Sequence, residues 1–495
     1  MEDLAGFVLK DEAGDLAALT SQMAADFDYS YRQFSLVQAE LEKTQTTVWL
    51  ARFGRWQQQL PAIRQLLGDA KALVLTLPEL TGGRQKKTYL VLLQNNHELR
   101  PTGGFIGSFA LVTFDRGRLV DFEVQDVYNA DGQLKGHVEP PAALKKYLGE
   151  ANWWLRDSNW DPDFPTSAQR AAWFLQKETG RSVNGVLASN LFLAQQLLTA
   201  AGEIQLPDFD EKITAANLFD RAEYYAEVGF FPGSTQKQDF LGSLTRQLFL
   251  QAQQGSSQLW LRLARAFYQA LVSRELLVWV DDAQTMTTLH QLNWDGALPG
   301  ADRRETDYLL LVEANVGVNK ANYFLRRQVT HRTDIQPDGL VAEKIEIDYR
   351  NHSPADTFPG GNYRSYLRVL VPLGSRLKKV TLDKLVVAEE KVDVTSLHGK
   401  TVFGFLVEVP VQQGRLVEVT YELPTKIELQ AVTQYRLLVQ KQSGMRDESI
   451  NLWLKVPPTV RILPAGNQVV PPTSVLSYSP AFDQDITFEA SLVKK

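Results

Sequence analysis

The stretch LRPTGGFIGS, residues 99–108, combines residue types that bind anions. Arg100 carries a guanidinium group that can donate two parallel hydrogen bonds to a phosphate or a carboxylate. Gly103, Gly104 and Gly107 lack a Cβ atom, so the backbone can approach a ligand closely. Their spacing matches neither a Walker A motif nor the dinucleotide-binding GxGxxG motif. Two interpretations stay open, a cradle for an anionic ligand and a tight turn that only packs well.

Polar residues flank the glycines. Asn96 ends an apolar stretch, YLVLLQNN, Glu98 follows two residues later, and Ser108 closes the segment. We assign these three residues, together with the three glycines, to the predicted ligand-binding set. His97 lies among them, and we interpret it as a hydrogen-bonded surface histidine, because no second histidine stands at metal-ligand spacing.

A second polar cluster lies in WWLRDSNWDPDFP, residues 153–165. Carboxylates close together on a loop suit a hard cation such as Mg²⁺ or Ca²⁺, although the spacing does not match an EF-hand. Aspartate before proline is also common in turns and helix caps. The segment is therefore either the rim of a ligand site or a structural loop. Its candidate residues are Arg156, Asp157, Asp161, Asp163 and, for contact with a ligand, Trp160.

Asp126 ends a predicted strand whose hairpin partner begins just after Gly107. An aspartate there can face the same end of the sheet as Arg100. The sequence thus predicts one constellation at a sheet edge, with Arg100, Asp126 and Arg156 as catalytic candidates. Asp126, Asp161 and Asp163 are the candidate metal ligands, and Mg²⁺ is the cofactor that their chemistry suits.

Three kinds of pattern follow one another along the chain and predict the elements that would position these residues. Residues 1–83 show apolar side chains at helical spacing, which predicts a helical hairpin or stalk, with Pro61 in the first turn of a helix. Residues 84–302 alternate strands and helices, which is typical of an α/β core, although 213–285 read as mostly helical. Residues 303–495 contain many short strands separated by turns and predict an Ig-like β-sandwich. The predicted fold class is α+β multidomain.

Composition and charge exclude several classes of function. The formal net charge of −6 argues against a nucleic-acid partner, because no basic excess is available for phosphates. The chain contains no cysteine, which excludes disulfides, thiol nucleophiles and cysteine-ligated zinc. The acidic N-terminus is not a signal peptide, and no apolar run is long enough to span a bilayer. The protein is either cytosolic or anchored by a segment outside this sequence.

Several segments together resemble a bacterial and archaeal envelope family, catalogued as a domain of unknown function (number four thousand and twelve). They are YLVLLQNNHELRPTGGFIGSFALVTFDRGRLVDFEVQDVY, NWDPDFPTSAQRAAWFLQKETGRSVNGVLASNLFLAQQLLTAAGEI, VEANVGVNKANYF, NYRSYLRVLVPLG and YRLLVQKQSGM. Members of that family typically carry an N-terminal transmembrane helix before a helical stalk. The resemblance implies an extracytoplasmic protein that contacts the membrane only through such an anchor, which this chain lacks.

The strand, turn and strand ending in Asp126 also resemble LytR–CpsA–Psr phosphotransferases, as does SVNGVLASNLFLAQQLLTAAGEI. That resemblance implies a LytR–CpsA–Psr-like core in which Arg100 binds a polyprenyl pyrophosphate and Asp126 holds Mg²⁺. Two positions depart from the pattern. The aspartate expected just after the arginine is replaced by PTGGFIGS, and the arginine expected before Asp126 is Gln125.

Three functions are consistent with these features. The first is an envelope protein that binds an anionic lipid-linked saccharide or a cell-wall glycopolymer at the edge of the α/β core. The second is a Mg²⁺-dependent phosphotransferase that moves a polyprenyl-pyrophosphate-linked glycopolymer. The third is a non-catalytic surface scaffold or adhesin whose β-sandwich binds protein partners. Because the metal ligands are incomplete, we expect the first.

Overall fold

A computed structural model gives the fold of the protein. It describes residues 15–43, 47–225, 236–300, 307–429, 432–446, 449–464 and 473–495. The described part is α+β, with N-terminal helices, a mixed sheet and a strand-rich C-terminal region. None of the described helices has the length and apolar character needed to cross a bilayer.

Two long helices form the N-terminal part, α1 (Leu16–Lys43) and α2 (Thr47–Leu80). They pack side by side, and Arg64 of α2 donates a 2.7 Å hydrogen bond to Gln38 of α1. Pro61 lies inside α2, so its predicted place in the first turn of a helix is wrong. The chain leaves α2 at a turn that contains Gly82, whose φ of 70° is left-handed.

A five-stranded sheet, in the order β3-β2-β1-β4-β7, forms the centre of the next part. β1 and β4 are parallel, and the other pairs are antiparallel. The strands are β1 (Lys87–Asn95), β2 (Phe105–Asp115), β3 (Arg118–Asp126), β4 (Gly185–Asn190) and β7 (Leu276–Val280); β5 (Ile204–Leu206) and β6 (Glu211–Ile213) form a separate pair. Within the mostly helical stretch predicted for 213–285, the helical prediction for LWLRLARAFYQALVSRELLVWV is wrong at LLVWV, which is β7. This buried apolar run is too short to distinguish strand from helix by periodicity.

Helices cover this sheet and connect its strands. They are α3 (Val127–Asp131), α4 (Ala142–Leu148), α5 (Phe164–Thr179), α6 (Leu191–Ala201), α7 (Leu218–Glu223), α8 (Gln236–Gln253), α9 (Ser257–Val272) and α10 (Ala283–Gln291), with a 3₁₀ segment at Leu155–Trp160. Phe164 and Phe174 of α5 pack on Phe109 of β2 in one core, and none of the three is exposed. Asp163 caps the start of α5, and Gly180 ends it in the left-handed conformation.

The C-terminal part consists of two seven-stranded sheets that share one core. One sheet has the order β13-β12-β16-β10-β9-β18-β20 and the other β14-β15-β11-β8-β17-β21-β19. Together they contain fourteen strands, whereas an immunoglobulin-type sandwich has seven to nine.

Most neighbouring strands in the two sheets are antiparallel, but β17 pairs in parallel with β8, and β18 in parallel with β9. The strand bounds are β8 (Asp307–Asn315), β9 (Leu325–Ile335), β10 (Val341–Asn351), β11 (Tyr363–Pro372), β12 (Arg376–Leu382), β13 (Leu385–Val386), β14 (Asp393–Leu397), β15 (Lys400–Val409), β16 (Gly414–Glu422), β17 (Val432–Gln440), β18 (Ile450–Lys455), β19 (Val460–Pro464), β20 (Val475–Tyr478) and β21 (Ile486–Lys494).

Candidate functional site

The glycine-containing loop between β1 and β2 is a closed double turn. Glu98 donates its backbone N–H to Asn95 at 3.1 Å, and Gly103 donates to Arg100 at 3.1 Å. Gly104 has a φ of 154°, and a Cβ atom added there would lie 2.3 Å from the carbonyl carbon of Asn95. Glycine is therefore required at this position because the loop folds back on its own backbone.

The same loop is buried against the β-sandwich. Asn315 of β8 donates its backbone N–H to the Leu99 carbonyl at 2.8 Å, and Gln442 donates to the Arg100 carbonyl at 3.2 Å. A Cβ atom on Gly444 would lie 2.2 Å from the Gly103 carbonyl oxygen. Of the two open interpretations, the packed turn describes what the structure shows, since the face expected to receive an anion is covered by protein.

Arg100 has partners on both sides of this contact, and its side chain is only 2% exposed. Its guanidinium donates to the Asn315 carbonyl at 2.6 Å and to Glu98 at 3.1 Å, and it lies 3.7 Å from Asp157. Lys320, from the sandwich, donates to the second oxygen of Glu98 at 2.6 Å. Arg100 thus belongs to a buried ion network that joins the sheet edge to the sandwich.

Charge keeps Glu98 ionised in this network. Burial alone would raise its pKa, but Lys320 and Arg100 together lower the pKa below its usual value. For Asp157 the effect of burial is the larger one, so its pKa is raised although the charges of Arg100 and Arg156 oppose the shift. A second buried ion pair, between Lys441 and Glu275 at 3.0 Å, crosses the same interface.

Arg156 lies at the outer rim of the network. It donates to Asp131 at 2.8 Å and to Glu150 at 2.9 Å. Its guanidinium carbon is 5.6 Å from the centre of the Tyr128 ring and 5.3 Å from the Trp154 ring. Tyr128 is 55% exposed, so this group of one cation and two rings reaches the surface. We call Tyr128, Trp154 and Arg156 the rim cluster.

Two carboxyl groups behind the rim cluster have altered acidity. Burial raises the pKa of Asp131 to about 6, although Arg156 partly offsets the effect. Burial, with a contribution from the charge of Asp131, raises the pKa of Glu178 to about 8. Glu178 accepts a hydrogen bond from the Leu155 backbone at 3.1 Å.

Asp126 caps helix α3 and accepts a hydrogen bond from the Tyr128 backbone at 2.9 Å. It also pairs with Ser108 across β3 and β2, so the predicted hairpin, in which Asp126 ends the strand opposite the one that follows Gly107, is confirmed. Its hydrogen bond with Tyr128 places Asp126 beside the rim cluster.

Asp161 and Asp163 do not join Asp126. Asp161 accepts a 2.9 Å hydrogen bond from His398 of the sandwich. Asp163 caps α5 through the Thr166 backbone at 3.1 Å and also accepts from the Leu298 backbone at 2.9 Å. Among the described residues, the group of acidic and histidine side chains that lies close enough to share an ion is found elsewhere, in the sandwich. The three predicted metal ligands are thus separated, because two of them serve as turn and cap residues.

Trp160 and Asn96 are also occupied. Trp160 is 5% exposed and stacks on Tyr366 of the sandwich, with ring centres 6.5 Å apart. The Asn96 side chain accepts from the Leu191 backbone at 3.1 Å. Both side chains contact protein at the positions where a ligand contact was predicted.

His97 was interpreted as a surface residue, and that interpretation is wrong. Its ring is 5% exposed and lies against Phe192, Phe219 and Tyr323. Burial, aided by the charge of Lys320, lowers its pKa to about 3. The imidazole is therefore neutral near pH 7, because charging it among these rings would cost its hydration.

Sequence reasoning missed the residues that the sandwich contributes to this edge. Asn315, Lys320 and Gln442 contact the loop from more than 200 positions away in the chain. A buried lysine or glutamine in a loop carries no local pattern that identifies its partner. The signal in the sequence was limited to polar residues at or just after the ends of apolar strands, with Asn315 ending β8 and Gln442 two residues after β17.

Comparison with known proteins gives one family and several weak structural likenesses. Residues 84–225 match the family described as Protein of unknown function (DUF4012). No curated protein has a matching sequence.

Among solved structures, a protein of Streptococcus agalactiae shares 13% identity with a TM-score of 0.28, covering 47% of this chain and 82% of its own. The LTA4 hydrolase of yeast shares 6% identity with a TM-score of 0.21, covering 34% of this chain and 29% of the hydrolase. An M1 zinc metallopeptidase of Deinococcus radiodurans shares 9% with a TM-score of 0.20, covering 34% and 42%. This chain therefore spans less than half of either enzyme, and similarity at this level does not establish a common fold.

The segment from the end of α2 to α7 contains the loop, the rim cluster and the helix caps described above. It coincides with the residues that match the model of the DUF4012 family of proteins of unknown function.

Proposed function

We propose that the protein is a non-catalytic, extracytoplasmic envelope protein that binds an anionic saccharide at the rim cluster. The observation that carries this proposal is that Arg156 lies beside both the Tyr128 and the Trp154 rings, of which Tyr128 is 55% exposed. Sugar rings stack on aromatic side chains, and a guanidinium pairs with carboxylate or phosphate. The extracytoplasmic location is supported only by the resemblance to an envelope family.

The hydrogen bonds of Arg156 indicate how an anion would enter. Its bond to Asp131 is buried, whereas Glu150, its other partner, has a side chain that is 27% exposed. An incoming carboxylate or phosphate would replace Glu150 and keep the Arg156–Asp131 pair. The proposed ligand site therefore stays at the sheet edge predicted from the sequence, but Arg156 rather than Arg100 is the arginine that would bind the anion.

The phosphotransferase alternative, with a LytR–CpsA–Psr-like core, needs Arg100 and Asp126 to face one ligand together with Mg²⁺. Arg100 instead contacts Asn315 and Glu98. A transferase would require the sandwich to move away from the loop. The non-catalytic proposal does not need this movement.

A scaffold role is the second candidate, and one observation favours it. Leu385 and Val386 in β13 are 75% and 66% exposed, and Val394 in β14 is 57% exposed. β13 and β14 are edge strands, one on each sheet. Unpaired apolar edges of this kind are suited to contacts with other proteins.

The test measures binding of two probes to the wild-type protein by thermal shift and tryptophan fluorescence. The probes are polygalacturonate, an anionic polysaccharide, and geranylgeranyl pyrophosphate, each with and without Mg²⁺. We expect polygalacturonate to bind without Mg²⁺. Loss of one stacking ring in Trp154→Ala should weaken binding about fivefold, because such a contact contributes about 1 kcal/mol.

Trp173→Ala is the matched control, since Trp173 also lies beside cations, Arg170 and Lys177, but on α5. Equal binding by Trp154→Ala and Trp173→Ala would refute the rim site. No binding of either probe would leave the scaffold role. A Mg²⁺-dependent response to the pyrophosphate that Asp126→Asn abolishes would favour the transferase, because asparagine preserves the helix cap but not the charge.

A further inference from the structure

The core of the β-sandwich contains three ionisable side chains that none of the functions above uses. Asp307 begins β8 in one sheet, and His331 and Glu343 belong to β9 and β10 in the other. None of the three is more than 1% exposed. One nitrogen or oxygen atom from each lies within 4.8 Å of the others.

The strand register explains why these side chains meet. Glu343 of β10 pairs with Thr333 of β9. His331 lies two residues before Thr333, so the Glu343 and His331 side chains are diagonal neighbours on the same face of the sheet. That face is the inner one. Asp307 pairs with Leu437 in the opposite sheet, and its side chain completes the group across the core.

Part of the cluster is satisfied by hydrogen bonds. His331 Nε2 lies 3.0 Å from Glu343 Oε2, and the same oxygen accepts from the Thr333 hydroxyl at 3.0 Å. Asp307 accepts from the Tyr435 hydroxyl at 2.7 Å. Within the described chain, however, Glu343 Oε1 and His331 Nδ1 are buried without a hydrogen-bond partner. Buried polar atoms almost always have one, so the Glu343 carboxylate in particular points to a missing binding partner.

A second buried glutamate in the same sandwich shows the contrast. Glu313 is paired with Arg327 and also accepts hydrogen bonds from the hydroxyls of Tyr349 and Tyr363. The contacts of Glu343 and Asp307 are instead with hydroxyl groups, with His331, with the Tyr308 backbone and with each other.

We propose that Asp307, His331 and Glu343 bind one divalent transition-metal ion, Zn²⁺ in the first instance, which links the two sheets of the sandwich. Imidazole nitrogen together with carboxylate oxygen suits Zn²⁺ better than Mg²⁺ or Ca²⁺, which prefer oxygen alone. Two ionised carboxylates would neutralise the 2+ charge, so the site would be neutral within the apolar core.

The hydroxyl of Tyr421, 3.4 Å from His331 Nε2, is placed to complete a four-coordinate site. Zinc–ligand bonds of about 2.0–2.2 Å require the ligand atoms to lie about 3.5 Å apart. The Nε2–Oε2 distance of 3.0 Å is about 0.5 Å shorter than that spacing, and the ligand atoms of the three residues lie within 4.8 Å of one another, so metal binding requires these side chains to shift. Complete burial makes the site structural, because no position is open to a substrate.

The test measures the metal content of the purified full chain by plasma mass spectrometry, after expression with added Zn²⁺ and gel filtration in metal-free buffer. We expect about one ion per chain in the wild type. His331→Gln and Glu343→Gln should both lose it. His290→Gln should keep it, because His290 pairs with Asp295 outside the sandwich and its side chain is 50% exposed.

A second measurement does not depend on the variants folding. Chelation of the wild-type protein with dipicolinate should lower its melting temperature, and re-addition of Zn²⁺ should restore it. Fewer than about 0.1 ions per chain in the wild type, or full metal content in His331→Gln, would overturn the proposal. The first result would identify the cluster as a proton-sharing carboxyl pair.

Discussion

Replacement of Arg100 by alanine tests whether the glycine-containing loop is an interface or a ligand site. The substitution removes the hydrogen bonds to Asn315 and Glu98 and the 3.7 Å ion contact with Asp157. Loss of one partner from a buried ion pair typically costs about 3–5 kcal/mol. Glu98 would keep its bond to Lys320, which limits the loss of charge compensation. We therefore expect the free energy of unfolding to fall by about 3 kcal/mol, the lower end of that range.

Urea unfolding followed by tryptophan fluorescence measures this change. Arg364→Ala is the matched control, because Arg364 pairs with Glu408 at 3.0 Å on the surface, with side chains 42% and 59% exposed. An exposed pair of this kind contributes about 0–1 kcal/mol. If Arg100→Ala lost no more than Arg364→Ala, the buried network would not hold the sandwich to the sheet edge, and the argument for a structural loop would fail.

Two further predictions concern the same region. Gly444→Ala should destabilise the protein by about 2 kcal/mol or more, because the added Cβ atom would overlap the Gly103 carbonyl. Gly399→Ala is the control in the same urea titration. Gly399 also has a left-handed backbone but open space around it, so its substitution should lower the free energy of unfolding by less. Glu178→Gln should flatten the dependence of stability on pH between about 4.5 and 8. In this pH range Glu178 keeps its proton in the folded protein but loses it in the unfolded chain, so the stability of the wild type falls as pH rises. Urea midpoints measured across this range should therefore decline in the wild type. An equal decline in the variant would contradict the assignment.

Elements with a clear period could be predicted from the sequence. The amphipathic pattern and Gly180 identified α5, and the short alternating runs after residue 303 identified the strand-rich region. The helical prediction for the apolar run LLVWV was wrong because β7 is almost completely buried. Burial on both faces removes the alternation of apolar and polar residues that would distinguish a strand from a helix.

The candidate site was predictable only in its local parts. The proximity of Asp126 to the start of β2 followed from one hairpin register. The burial of Arg100 could not be predicted in this way, because its partners Asn315 and Gln442 lie far along the chain. The same residue types, glycine and arginine, serve an anion cradle or a close backbone contact, and only the neighbouring sandwich decides between them.

The His331 cluster shows the same limit in another form. His331, Glu343 and Asp307 are spread over 37 positions, in a spacing that matches no metal motif. Their meeting depends on the register of β9 with β10 and on the approach of β8 from the other sheet. No local pattern contains that information.

The parallel pairings of β17 with β8 and of β18 with β9 have a consequence for how the protein folds. Leu437 pairs with Asp307 across 130 positions, and Ile450 pairs with Val329 across 121. During synthesis, β8 and β9 must therefore wait, each with one edge unpaired, until more than a hundred further residues have been added. Contacts of such long range form slowly, and unpaired strand edges attract other chains in the meantime. The emerging sandwich therefore exposes unpaired strand edges for longer than a fold built from local pairings alone would.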